Sequence, residues 1–231
     1  EGYFRDRGVA ATFVGHPLFD HLPPRPAELP DFVRATQSGE WRVALLPGSR
    51  PGEIASHAEA MVQVAAAIHA RWPRATCVMT APNEDAAKHL RHIIDEHDVH
   101  LVVGKTAEVL AESHLAVAAS GTVTLETAYY GVPMAIVYRV NMLAYHLIGR
   151  WVLRTPHLSL VNILADEKLV PELMPWNGNV PELIDATLGL MDDPDYLAAI
   201  RERLLQITAP LSGESSKACD RTADLVLSMI D

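Results

Sequence analysis

Apolar and polar positions change their spacing along this chain in a regular way. Short continuous apolar runs alternate with longer stretches in which apolar residues recur every three or four positions. Trp41 to Leu46 is such a run, and Pro51 to Arg71 follows it with Ile54, Ala58, Met61, Ala65 and Ile68 on one helical face. The alternation continues with a strand over Ala75 to Thr80, a helix over Glu84 to Glu96, a strand over Val99 to Val103 and a helix over Thr106 to Ser113. Leu115 to Ala119 reads as a fourth strand, Val123 to Tyr130 as a helix, and Pro133 to Tyr138 as a fifth strand after Gly131, a residue suited to ending a helix. Strands that are apolar on both faces and separated by helices predict a parallel sheet covered on both sides, an α/β doubly wound architecture. Ligands of such sheets bind beyond the carboxyl ends of the strands.

The flanks read differently. Val9 to Val14 predicts a strand, stopped by Gly15-His16-Pro17, and prolines at 23, 24, 26 and 30 then rule out a helix or central strand. Residues 1–30 are therefore expected to be the end of an amino-terminal domain and an interdomain linker, with residues 31–231 forming the α/β domain and its carboxyl-terminal helices. The first residue is Glu1 rather than Met, so the chain is expected to be a piece of a longer polypeptide. Beyond the fifth strand, Met142 to Leu153 is apolar and aromatic, with Arg139, Arg150 and Arg154 in and around it. Two readings fit it: a helix against lipid or an acyl chain, or core packing with snorkelling arginines, which the mixed pattern favours. Leu158 to Asn162 reads as a short strand and Asp166 to Met174 as a short helical piece. Helices over Val180 to Met191 and Glu214 to Ile230 close the chain, with Pro194 and Tyr196 to Leu205 between them.

Composition narrows the chemistry. With 231 residues, of which 49 % are hydrophobic, the chain buries a full core. A formal charge of -10 argues against a general nucleic-acid or anionic-membrane binder and leaves room only for local basic patches, so any phosphate must be held locally. Cys77 and Cys219 have no metal-ligand spacing and fit a reducing compartment as ordinary thiols. His89, His92, His97 and His100 lack a carboxylate or Cys to complete a ligand set, and read as a solvated helix face and strand start. His16, at the expected domain junction, reads as a turn residue.

Two stretches carry a specific signal. The run Ala44 to Leu46 stops at Pro47-Gly48-Ser49-Arg50 and passes at once into a helix, which leaves free N–H groups at the positive end of the helix dipole, beside Arg50. The same device recurs where Leu115 to Ala119 runs into Ser120-Gly121-Thr122. Either turn alone is satisfied by loop geometry; two in one sheet would face one anionic ligand. Glu126, one helical turn beyond the second, makes sense beside an anion site if it accepts hydrogen bonds from hydroxyls such as a ribose diol.

Val14-Gly15-His16-Pro17-Leu18, Leu45-Leu46-Pro47-Gly48-Ser49-Arg50, Ala119-Ser120-Gly121-Thr122 with Leu125-Glu126, Val132-Pro133-Met134, Tyr138-Arg139 and Ser159 to Leu164 occur in this order. As a set they resemble the carboxyl-terminal part of the lipid-A-disaccharide synthases, bacterial glycosyltransferases of the GT-B type. The resemblance implies a Rossmann-like half of a GT-B fold that binds a UDP-sugar. The implied reaction transfers diacylglucosamine from its UDP derivative to acylated glucosamine 1-phosphate, forming a β-1,6 linkage and releasing UDP, at the cytoplasmic face of the inner membrane. Carried over by motif, Gly48, Ser49, Arg50 and Ser120, Gly121, Thr122 would hold the pyrophosphate, Glu126 the ribose, and Asn162 would line the donor site. Arg50 would stabilise departing UDP without a metal, and no cofactor is implied. The general base would belong to an upstream domain, so the chain alone is expected to bind UDP and not to catalyse. The family run Val-Pro-Glu-Leu-Leu-Gln stands here as Val170-Pro171-Glu172-Leu173-Met174-Pro175, without its glutamine. A UDP-sugar binding module without transfer activity is the reading from a different class. A UDP-GlcNAc epimerase or a peptidoglycan-type transferase shares the half-fold but fits Pro-Gly-Ser-Arg and the Asn162 segment less well.

Overall fold

The computed structural model describes residues 2–139, 157–212 and 217–230. The apolar runs form strands β1 (Arg42–Leu46), β2 (Thr76–Ala81), β3 (His100–Val103), β4 (Leu115–Ala119) and β5 (Met134–Arg139), joined at one edge by β6 (Glu172–Trp176). All pairings are parallel, in the order β3-β2-β1-β4-β5-β6. Past the half-buried Arg42 the two central strands are buried throughout, which is why they read as continuous apolar runs rather than alternating ones.

The helices α1 (Gly2–Arg5), α2 (Phe32–Ser38), α3 (Pro51–Arg71), α4 (Glu84–Ile94), α5 (Thr106–Ala111), α6 (Thr122–Tyr129), α7 (Leu160–Ala165), α8 (Val180–Met191), α9 (Pro194–Ser212) and α10 (Ala218–Ser228) supply the cover. The chain moves outward from β1 to β3, then returns to the centre and moves outward the other way from β4 to β6. Right-handed crossovers therefore send α3 and α4 to one face and α6 to the other. Accordingly α3 packs on α4 and α8, while α6 packs on α7 and α9.

Three expectations need correction. Val9 to Val14 forms no strand; it runs on without a ladder partner among the described residues, and Val9 and Phe13 are exposed. Leu158 to Asn162 is not a strand: Ser159 caps α7, accepting from the Asn162 N–H at 3.4 Å, and Asp166 ends it with a left-handed φ of 55°. The stretch Asp166 to Met174 is not helical but leads into β6. Pro171 and Pro175 exclude a helix there, and an edge strand tolerates them. The apolar stretch from Met142 to Leu153, with Arg150 and Arg154, lies outside the described residues.

Two charged side chains join distant segments. Asp20, in the short 3₁₀ turn Pro17–Asp20, accepts from the N–H groups of Ala218 and Cys219, each at 2.9 Å, and so caps α10. Those bonds, that from Cys219 foremost, hold its carboxyl below the ordinary value. Arg201 on α9 donates from Nε to the Gly131 carbonyl at 3.0 Å and from Nη1 to the Pro30 carbonyl at 2.6 Å, with its guanidinium 3.8 Å from the centre of the Phe32 ring. Hydrogen bonds to a charged group contribute about 1.5–3 kcal/mol each and are not additive. Arg201→Ala should therefore lower the urea unfolding free energy by about 2–4 kcal/mol, and Arg201→Lys should recover less than half of the loss, because an ammonium cannot reproduce the fork.

Candidate functional site

Leu46 and Ala118 are paired across β1 and β4, so the loops that follow these strands leave the sheet side by side. Between them the winding direction reverses, and a crevice opens at the carboxyl ends of the strands. The cleft has a volume of about 430 Å³. Gly48, Ser49 and Arg50 line one side of it, and Ser120, Gly121, Thr122 and Glu126 the other, so seven of the eight residues singled out from sequence meet in one space. Thr80, Tyr138, Met174 and Leu18 close the remaining walls.

Asn162 does not line this cleft. It is wholly buried, and its amide is used up in holding the chain: Nδ2 donates to the Val170 carbonyl and to Glu172 Oε2, each at 3.0 Å, and Oδ1 accepts from the Val170 N–H at 3.0 Å. Glu172 also accepts from the N–H groups of Leu158 and Ser159, at 2.8 and 3.0 Å. Burial pushes its carboxyl up, but the donors of Ser159, Leu158 and Asn162 outweigh this and hold it below its ordinary value. Asn162 thus fastens α7 to β6 instead of meeting a ligand. Met174 of β6 does reach the cleft, one residue before the position of the family glutamine.

The two loops differ in how their helix ends are satisfied. At α6 the residue before the first turn is Gly121, and no side chain among the described residues caps the free N–H groups. At α3 the Glu53 carboxylate accepts from the N–H groups of Ser49 and Arg50 and from the Arg50 guanidinium. Burial pushes the Glu53 carboxyl up, but the Ser49 and Arg50 N–H groups and the Arg50 charge together hold it below its ordinary value. Sequence reading passed over Glu53, although a carboxylate three residues after a helix's starting residue is a recognisable capping signal.

His57, also missed, lies on the buried face of α3. Its Nε2 accepts from the Arg139 N–H at 3.0 Å, which leaves Nδ1 to carry the proton and face the Pro47 carbonyl at 3.3 Å. It stacks on Trp176 at 6.3 Å between centroids and tilts against Tyr138 at 5.9 Å. One imidazole so joins the start of the first loop to the end of β5. Glu126 is half-buried, and no donor among the described residues shifts it. Burial, followed by the like charge of Glu108, moves its carboxyl up from its ordinary value. Among the described residues, no three or more His, Cys, Asp or Glu side chains are grouped to hold a metal ion.

Residues 1–207 match the family model described as lipid-A-disaccharide synthetase. The chain belongs to this family. It is 35 % identical over 210 residues to lipid-A-disaccharide synthase of Anaeromyxobacter sp. (strain K), covering 87 % of this chain and 54 % of that protein. With the synthase of Syntrophus aciditrophicus (strain SB) it shares 33 % identity over 245 residues, covering 100 % and 60 %. The chain thus spans a little over half the length of these relatives. Among solved structures it is similar to the pneumococcal O-GlcNAc transferase in complex with UDP and GlcNAc, with a TM-score of 0.53 and 16 % identity over 87 % of this chain and 38 % of that one. A mutant O-GlcNAc transferase of Thermobaculum terrenum gives a TM-score of 0.52 and 17 % identity, covering 90 % and 38 %. These likenesses show the fold, that of the GT-B glycosyltransferases.

Burial first of all lowers the pKa of His57 below its ordinary 6.5, and takes that of His114, whose Nδ1 accepts from the Arg42 N–H at 3.0 Å, down to about 4. A histidine whose folded pKa is depressed stabilises the fold above its unfolded pKa and loses that contribution as pH falls through the folded one. Stability against urea should therefore fall as pH drops below about 6.5. In His57→Gln, which keeps an acceptor but does not titrate, part of that slope should vanish, with the share of His114 persisting toward pH 4.

Proposed function

We propose that the cleft binds the UDP part of an acylated glucosamine nucleotide and that the chain is the donor-binding half of a lipid-A-disaccharide synthase. The observation that carries this reading is the meeting of two strand-end loops, one with an uncapped helix start and one with Arg50, in a single cleft with Glu126 at its wall. In the proposed reaction the acceptor 6-hydroxyl oxygen attacks the anomeric carbon of the donor with inversion. The bond from that carbon to the phosphate oxygen breaks, its electron pair leaves with UDP, and the hydroxyl proton passes to a general base. Charge grows on the departing diphosphate, and donors already aimed at that position lower the barrier. The N–H groups of Gly121 and Thr122 are suited to this task, as is Arg50 once it turns to the ligand, while the Ser120 N–H is held by the Val137 carbonyl at 3.0 Å; the reading requires no metal ion or other cofactor. Glu126 is suited to accept from the ribose diol.

The same reading places residues 1–30 at the end of an amino-terminal domain and its linker, and assigns the general base to that domain. Neither cleft carboxylate is assigned the role: Glu53 lies at the Ser49 and Arg50 donors, on the phosphate side of the cleft, and Glu126 is assigned to the ribose. The chain alone should bind UDP and leave both acylated substrates unjoined; disaccharide formed by the isolated chain in a turnover assay would contradict this.

Calorimetric titration with UDP tests the site. Binding should be the same with and without Mg²⁺, and Arg50→Ala should weaken it about tenfold to a hundredfold, the worth of one hydrogen bond to a charged group. Glu126→Ala should instead erode the preference for UDP over an analogue lacking the ribose diol. Unchanged curves for both variants would refute the assignment. We also propose that the protein works peripherally at the cytoplasmic face of the inner membrane, where its acylated substrates lie. Replacing Arg150 and Arg154 by Glu in the full-length protein should then reduce co-sedimentation with anionic liposomes, and undiminished co-sedimentation would count against it.

A further inference from the structure

At the first loop, the donors that a ligand phosphate would use are already engaged. Glu53 Oε2 accepts from the N–H groups of Ser49 at 3.0 Å and Arg50 at 3.2 Å, and Oε1 accepts from Arg50 Nη1 at 3.0 Å. The carboxylate is built into the wall of the cleft. Its side chain is 16 % exposed against 80 % for Arg50. Gly48, with a left-handed φ of 111°, makes room for it, since a Cβ at that position would lie 2.6 Å from Glu53 Oε2.

We propose that Glu53 is an internal anion, which holds the Gly48 to Arg50 loop in its binding shape while the cleft is empty and which the diphosphate of the ligand displaces. This rests on the reading of the cleft as a UDP site. Each backbone N–H has a single hydrogen to give, so Ser49 and Arg50 cannot serve the carboxylate and a phosphate oxygen at full strength together. With Glu53 in place, an incoming phosphate would also meet a like charge at the same donors. Exchange needs little rearrangement. Glu53 stands in the first turn of α3 at the wall of the cleft, so the proposed exchange is a swing of its side chain away from the donors, with the exposed Arg50 turning toward the ligand.

The second loop has no such occupant among the described residues, where no side chain caps the start of α6. The cleft therefore pairs an open helix end with one that holds its own carboxylate. A diphosphate brings more negative charge and more acceptor oxygens than Glu53 and prevails, whereas a ligand with a single carboxylate gains nothing by the exchange. Glu53 thereby favours diphosphates over singly charged ligands, and it speeds the departure of UDP by returning to its donors.

The test compares the chain with its Glu53→Gln variant, titrating each with UDP and with uridine. Gln retains an acceptor oxygen and the shape of Glu but not the charge. The variant should bind UDP about tenfold more tightly, the scale of one nearby like charge partly screened by solvent. Uridine, which has no phosphate, should bind both proteins within about twofold of each other. Unchanged or weaker UDP binding by a variant that circular dichroism shows to be folded would overturn the proposal. Carboxyl-¹³C glutamate spectra of the unmutated chain give a second reading: the Glu53 resonance should move on adding UDP and stay in place with uridine, and a resonance indifferent to UDP overturns the displacement. If Arg50→Ala weakens UDP binding while Glu53→Gln does not strengthen it, the UDP site stands and the role of Glu53 falls. If the unmutated chain does not bind UDP, both fall.

Discussion

The architecture depends on one constraint: a parallel sheet whose crossovers are all right-handed can be extended both ways from its centre only by sending its helices to opposite faces. Here the reversal lies between β1 and β4. The helices that leave these strands diverge, and the starts of both lie at the space between them. A cleft with two positive helix starts is thus a product of topology before any side chain is considered. Side chains then distinguish the two sides: the α3 end has a carboxylate and a guanidinium, and the α6 end has backbone amides that no side chain among the described residues caps.

Beyond that centre, order is imposed by a few buried or half-buried polar side chains with their partners satisfied. His57 joins the first loop to the last turn of β5, Asn162 and Glu172 fasten α7 to the edge strand, and Arg201 draws the linker at Pro30 and the turn at Gly131 onto α9. His57 and Arg201 do so across long separations in sequence, and Asn162 and Glu172 across the one loop between α7 and β6. An unpaired alternative would leave polar atoms stranded in a low-dielectric interior, so each such knot excludes competing arrangements more than it adds net stability.

That difference explains what could be read from sequence. The strands from Trp41 to Tyr138 and their helices were legible because burial on both faces leaves a continuous apolar run, and burial on one face leaves a spacing of three and four. The anion loops were legible because Gly48, Ser49, Ser120 and Gly121 fall where such runs end. The segment from Leu158 to Met174 was not. Its local apolar pattern suits a strand followed by a helix, and the reverse order is set by Glu172 capturing the N–H groups of Leu158 and Ser159, a contact with no periodic signature. Asn162 was misplaced for the same reason, since a polar residue in an apolar run looks alike whether it faces a ligand or a carbonyl. Val9 to Val14 has the composition of a strand, but a strand exists only where a neighbouring edge receives it. Glu53 was hidden in plain view, in a spacing that is informative only once the helix start is known.

The Asp20 carboxylate that caps α10 gives the ends of the chain a shared fate. A helix whose first free N–H groups are satisfied from nearly two hundred residues upstream has no starting cap of its own here, and the turn that supplies the cap loses its two partners if the helix leaves. Fraying at either end is therefore transmitted to the other, and the Pro17–Asp20 turn and the start of α10 form one cooperative unit. A load applied to the polypeptide near His16 falls first on this latch, and because Leu18 of the same turn lines the cleft, the latch also holds that wall in register with the sheet.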